Sequence, residues 1–233
     1  MTTKALVSLS GGLDSTLALI WAQQEFDEVR AITFNYGHKT WEAERLASQT
    51  ICRQLGIRQD IISVPNELLR STSPLVNSAN EVKRYEDASE IPDGGKDLTF
   101  VPGRNILFSI LLANRAYALD CPNLVFGISE QGLGGYPDAR RDFADAMAEA
   151  LTKGMDYHFQ VLTPLMQWGK QGVVEFAQSL PRGMELLAFT TTCYEGGKSP
   201  CTKCRSCLLR AKGFADAGLS DPLLERLNHF DVC

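Results

Sequence analysis

Two groups of residues in this 233-residue chain could do chemistry. The first is Ser10-Gly11-Gly12-Leu13-Asp14-Ser15-Thr16, near the amino end. Paired glycines let a backbone turn sharply and come close to a ligand. If a helix starts just after them, its free N–H groups and positive dipole end face whatever sits there. Ser10, Ser15 and Thr16 add hydroxyl donors, so the stretch suits a phosphate. The plainer alternative is a tight strand-to-helix turn with Asp14 or Ser15 as N-cap. The second group is Cys193, Cys201, Cys204 and Cys207, spaced C-x7-C-x2-C-x2-C. Two overlapping C-x-x-C steps bring three thiolates to one ion, and the longer loop returns the fourth. Four sulfurs suit tetrahedral Zn²⁺ in a closed, structural site. An iron–sulfur cluster is the rival occupant. Gly196-Gly197-Lys198-Ser199 resembles the end of a Walker A loop, but Thr192 stands where its first glycine belongs, so that reading is rejected.

The elements that must position these groups alternate. Lys4–Leu9 reads as a buried strand, and the run from Thr16 to Gln24 as a helix. Glu28–Tyr36 and Arg58–Val64 read as further strands around a helix from Thr40 to Leu55, with Gly56 as its terminator. Residues 65–97 break the rhythm and read as an irregular lid or loop. A helix follows from Ile106 to about Leu119, then a strand at Leu124–Ser129 and a helix from Asp142 to about Lys153. A strand at Phe159–Leu162 and a helix at Gly169–Ser179 complete the alternation. This order predicts an α/β fold, a doubly wound parallel sheet with ligands at the carboxyl ends of its strands. We therefore expect a phosphate-binding α/β domain over 1–180 and a small cysteine-bearing unit over 181–233.

Composition narrows the function classes. The chain is 44% hydrophobic and 22% charged, with no apolar run long enough to cross a bilayer, so no membrane partner is expected. A cleaved leader would carry away the strand before the glycine loop, so a cytoplasmic protein is expected. The net charge of -5 disfavours nucleic acid as the main ligand. Seven cysteines, an odd number, argue against a disulfide framework. Cys52 reads as core, Cys121 as a loop thiol and Cys233 as a free terminal residue. The three histidines form no ligand pattern, and His38 belongs either beside the site or at the surface.

SGG-x-DS after an amino-terminal strand resembles the signature of the PP-loop ATP pyrophosphatases, which cleave ATP between the α and β phosphates. The resemblance extends along nearly the whole chain. SGGLDST at 10–16, TFNYG at 33–37, TFVPGRNILF at 99–108, GYPDAR at 135–140, TPLMQWGK at 163–170, TTCY at 191–194 and PCTKCRSCLLRAKGF at 200–214 are similar to the 7-cyano-7-deazaguanine synthase (QueC) family. That resemblance implies an adenine-nucleotide α-hydrolase-like sheet, a zinc-bearing C-terminal unit and a homodimer. It also implies ATP, Mg²⁺ and structural Zn²⁺ as cofactors, with a deazapurine carboxylic acid and ammonia as small-molecule partners.

The implied reaction turns 7-carboxy-7-deazaguanine into its nitrile by way of an adenylate and an amide. On that reading Leu9, Ser10, Gly11, Gly12, Leu13, Asp14, Ser15 and Thr16 bind ATP. Asp14, Ser15, Arg104 and Lys170 act in catalysis, the two cations compensating pyrophosphate charge. Without the resemblance, Arg104 would read as a surface cap for carboxylates and Lys170 as a solvated helix start. Asn105 either bonds the nucleotide or starts the helix. Glu130, Tyr136, Asp138 and Arg140 would read the deazaguanine, although Gly135–Asp138 also reads as a plain turn.

The chain departs from the family pattern in two loops. Gly132, Gly134 and Ala139 stand where an acid, a hydroxyl and a thiol are usual, and His38-Lys39-Thr40 replaces Gln-Arg-His. These loops surround the expected acyl and ammonia pocket, which leaves room for a relative that stops at the amide. QueC-like proteins of bacterial antiviral gene clusters are similar in outline, and some modify a protein partner, so a protein acceptor is a second expectation. A non-catalytic or RNA-directed PP-loop protein is a third, disfavoured by the acidic charge balance.

Overall fold

The alternation is realised in the computed structural model, which describes residues 2–92, 97–129, 136–197 and 199–230. Five parallel strands, β1 (Lys4–Ser8), β2 (Glu28–Asn35), β3 (Arg58–Ser63), β4 (Asn123–Phe126) and β5 (Gln160–Leu162), lie in the order β3-β2-β1-β4-β5. Val7 pairs with Ala31 on one side and Val125 on the other. Strand order therefore reverses between β1 and β4, which opens a crevice at their carboxyl ends.

Side-chain period two explains how these strands are buried on both faces. Ala5, Val7, Ala31 and Val125 meet α1 (Leu13–Glu25) and α2 (Trp41–Leu55) through Ala18, Leu19, Ala22 and Ile51. Leu6, Ile32, Phe34 and Leu124 point the other way, onto α3 (Arg104–Ala118) and α4 (Arg141–Met155), where they meet Leu112, Ala116 and Leu151. Helix α1 is covered on its outer side as well. Leu13, Leu17 and Ile20 pack against Val173 and Val174 of α5 (Lys170–Ser179), Leu186 of α6 (Gly183–Leu187) and Phe214 of α7 (Arg205–Asp216). A helix buried on two sides has no polar stripe, as its sequence shows. The same packing makes the cysteine-bearing part share a core with the α/β body. A last helix, α8, spans Pro222–Phe230.

One local expectation changes. Helix α1 begins at Leu13 with Gly12 as its N-cap, so Asp14 and Ser15 lie inside the first turn and neither caps the helix. Cys121 sits in a loop, as the sequence suggests, and is buried in the core. Gly56 ends α2 in the left-handed conformation, with φ 67°, as the sequence suggests. The described part of 65–97 carries two short 3-10 turns, Asn66–Leu69 and Ala88–Glu90. It docks on the cysteine unit: Val82 packs among the cysteines, Arg84 bridges to Cys204, and the Tyr85 N–H donates to the Lys203 carbonyl at 2.9 Å.

Gly127, immediately after β4, is the tightest approach in the crevice. A Cβ there would sit 2.6 Å from the Asp14 carbonyl and the Ser15 Cα. Gly127→Ala should therefore push the start of α1 away and destabilise the fold by about 1–3 kcal/mol, as overpacking does. Urea unfolding should show a lower midpoint at unchanged slope.

Candidate active site

A cavity of about 250 Å³ opens at the carboxyl ends of β1, β2 and β4, lined by Ser8, Leu9, Phe34, Tyr36, Phe126 and Gly127 from these strands and the residues that follow them. Ser10, Gly12, Leu13, Asp14 and Ser15 form its floor. The loop holds its shape through its own polar groups. Ser10 Oγ lies 3.0 Å from Ser15 Oγ, the Gly12 N–H donates to Ser10 Oγ at 3.2 Å, and the Ser10 N–H donates to Ser15 Oγ at 3.2 Å. Gly11, at φ 81°, does not line the cavity; a Cβ on it would stand 2.7 Å from the Ser48 nitrogen of α2. Its carbonyl accepts from the Thr191 N–H at 2.9 Å, tying the loop to the chain just before Cys193. Thr16 is fully buried behind the loop and faces no opening.

Both cations expected from the sequence reach this cavity. Lys170, the first residue of α5, donates to Asp14 Oδ2 at 2.5 Å, and each side chain is 17% exposed, so Lys170 is not a solvated surface group. Asp14 Oδ1 is buried with no hydrogen-bond partner among the described residues, an orphan oxygen that suits a cation such as Mg²⁺. Arg104 opens α3, donates to Tyr36 Oη at 3.4 Å, and has no carboxylate partner among the described residues. Burial pushes the Tyr36 phenol up to about 12 despite the nearby guanidinium, so Tyr36 stays neutral.

The substrate-reading group divides. Tyr136 lines the cavity, is buried, and its hydroxyl lies 2.6 Å from Thr99 Oγ1. Asp138 is buried behind it with neither carboxylate oxygen hydrogen-bonded among the described residues, and Asn105 donates to its backbone carbonyl at 3.0 Å. Arg140 is exposed at the start of α4, away from the cavity. Glu130, and with it Gly132 and Gly134, lies outside the described residues.

The four cysteines converge, with their sulfurs all within 4.8 Å of one another. Bonds of about 2.3 Å to one tetrahedral ion place thiolates about 3.8 Å apart, so the set fits a single metal. The corner thiolates of a four-iron cage stand farther apart. The Cys201 N–H donates to Cys193 Sγ and the Cys204 N–H to Cys201 Sγ, each at 3.3 Å. Cys204 and Cys207 also sit at the amino end of α7, where the helix dipole stabilises negative charge.

Sequence reading missed that this unit is a wall of the cavity: Thr191, Thr192, Cys193, Tyr194, Arg205 and Arg210 line it. Arg210 is saturated by both Asp221 oxygens, Thr190, Thr192 and the Leu187 carbonyl, so it holds the wall together. Nothing in residue spacing announces such a contact. Glu44 also lines the cavity, although the sequence marks it only as an acid in a first helical turn.

A parallel α/β body with a serine- and glycine-rich loop at its switch point defines the class, a PP-loop-like α/β fold. A solved complex, a 4-thiouridine synthetase–RNA complex with bound ATP, shares the fold at a TM-score of 0.52 and 19% identity, covering 93% of this chain and 51% of that one. The family described as "Queuosine biosynthesis protein QueC" matches residues 4–218. A 7-cyano-7-deazaguanine synthase from Gloeobacter violaceus is 40% identical over 94% of this chain and 95% of its own length. One from Chromobacterium violaceum is 40% identical over 96% and 94%, and one from Methanosarcina barkeri 35% identical over 96% and 99%. The chain belongs to the QueC family.

Two outcomes follow from this geometry. Purified protein should carry about one metal ion per chain, and Cys204→Ser should abolish it and lower the melting temperature, as elemental analysis and calorimetry would show. Burial raises the Asp138 pKa against the opposing pull of Arg104, so the unfolded chain releases that proton more readily and the site weakens the fold above the folded pKa. Asp138→Asn should then stabilise the protein at neutral pH. That gain should fade as pH falls through the carboxylate range, in denaturant titrations run at each pH.

Proposed function

We propose that the protein converts 7-carboxy-7-deazaguanine and ammonia into 7-cyano-7-deazaguanine, with ATP as the activating agent. What carries this reading is the convergence of the Ser10–Ser15 loop, Lys170 and Arg104 on one cavity at the strand switch point. A carboxylate is a poor acyl donor because oxide is a poor leaving group. Attack of its oxygen on the α-phosphorus of ATP expels pyrophosphate and makes AMP the leaving group. Ammonia then forms the C–N bond as AMP departs, and a second ATP activates the amide oxygen so that loss of AMP and a proton leaves the nitrile.

In this scheme the N–H groups of the first turn of α1 and the Ser10 and Ser15 hydroxyls hold phosphate oxygens. Arg104, which makes no ion pair with a described carboxylate, balances the charge that gathers on pyrophosphate, and Lys170, held by Asp14, reaches the same cavity. Mg²⁺, when bound, shields the triphosphate; the orphan Asp14 Oδ1 is the oxygen that would hold it. Zn²⁺ on the four cysteines is structural, since a closed sulfur shell leaves no position for substrate. Tyr136 is the deazaguanine contact carried forward; Asp138 and Arg140 are not, because neither lines the cavity.

Incubation with ATP, Mg²⁺, 7-carboxy-7-deazaguanine and ammonium should yield the nitrile, AMP and pyrophosphate by mass spectrometry. Arg104→Ala should lower AMP release by about 100-fold or more, the scale of losing one preorganised charge contact in a transition state. Amide without nitrile would replace this reading with the amide-forming or protein-acceptor ligase. No acid-dependent AMP release would overturn both.

A further inference from the structure

The start of α2 places a carboxylate in the cavity wall that none of these steps uses. Glu44 lines the cavity, and its side chain is 22% exposed. Thr40 Oγ1 donates to its Oε1 at 2.6 Å, and its Oε2 lies 3.1 Å from Nε2 of His38. The His38 ring is itself buried and stacked on Tyr36, with centroids 3.8 Å apart. Residue 44 rides directly on the glycine loop, since a Cβ on Gly11 would stand 3.0 Å from its carbonyl oxygen. The other acid in the cavity wall, Asp14, is already tied to Lys170. Glu44 has no lysine or arginine partner among the described residues. It is a fixed carboxylate with an open side, beside the loop where the adenylate would form.

Ammonia presents a specific difficulty, given the reaction proposed above on which this inference rests. At neutral pH it is almost wholly ammonium, which has no lone pair. We propose that Glu44 is the ammonium site and catalytic base of the amide-forming step. The carboxylate pairs with ammonium and takes one of its protons. The freed lone pair attacks the carbonyl carbon of the acyl adenylate, forming the C–N bond. The C–O bond to AMP breaks, its electron pair leaves on the AMP phosphate, and the nitrogen passes its second surplus proton to water. The products are the amide, AMP and two protons, one of them held on Glu44. Thr40 holds the acceptor in place at a site where the sequence departs from the family pattern.

The test compares two nucleophiles with the full-length protein. Hydroxylamine, unlike ammonium, already carries a free lone pair at neutral pH and needs no base to expose it. With ATP, Mg²⁺ and 7-carboxy-7-deazaguanine, Glu44→Gln should lower the ammonium-dependent product by about 100-fold, the usual scale of general-base catalysis. Acyl adenylate should accumulate, and hydroxamate formation with hydroxylamine should fall far less. Equal losses with both nucleophiles, or no loss with ammonium, would overturn the assignment. Should Glu44→Gln not match the melting curve of the unsubstituted protein, Glu44→Asp, which keeps the charge but shortens its reach, makes the same comparison. If the unsubstituted protein releases no acid-dependent AMP, the proposed reaction fails, and this assignment with it.

Discussion

The chemistry of this protein depends on backbones meeting more closely than side chains allow at the carboxyl edge of the central strand. Gly11 lets α2 settle onto the loop, and Gly127 lets the end of β4 press against the first turn of α1. Helix N–H groups act on a ligand only over the length of their first turn. The floor of the cavity is therefore polar backbone, held by Ser10 and Ser15 and anchored from outside by Thr191. A methyl group at either glycine would widen the crevice on one side and displace the donors on the other.

Charge is distributed unevenly around that floor. Lys170 and Asp14 neutralise each other, Arg210 is consumed by Asp221, and Arg205 stands 3.9 Å from Asp97. Arg104 makes no ion pair with a described carboxylate, its hydrogen-bond partner being a neutral phenol, although Asp138 lies near enough to feel its charge. A cation without a carboxylate in a partly enclosed site attracts an anion more strongly than one already paired. The acids follow the same division, with Asp14 tied and Glu44 held, among the described residues, by a hydroxyl and the edge of an imidazole.

The cysteine unit is joined to the catalytic body at two levels. Phe214 of α7 enters the core beside α1, and the segment from Thr191 to Tyr194 closes the cavity on its way to the first cysteine. A metal bound there fixes the amino end of α7 and, through it, the position of Arg205 and Ser206 in the wall. The segment around Val82 and Tyr85 straps this unit from outside. A metal held by the four cysteines would thus couple the stability of this unit to the shape of the cavity.

Much of this was legible in the sequence, because its signals are local. Alternating apolar strands and helices specify a parallel sheet, Gly-Gly between strand and helix permits a close-approach loop, and the cysteine spacing allows four sulfurs to gather at one point. Arg104 and Lys170 could be named from motifs, yet their pairing could not. Whether a cation is tied or free depends on side chains far away in sequence, 156 residues away for Lys170 and Asp14. The cavity roles of Glu44 and Arg205, the retreat of Asp138 and Arg140 from the wall, and the packing of Gly127 are tertiary in the same sense. Sequence by itself determined which backbone turns and metal ligands this chain can form, since those follow from neighbouring residues. Only the tertiary structure decided which charges face the cavity, because burial and pairing are set by elements that meet solely in the folded chain.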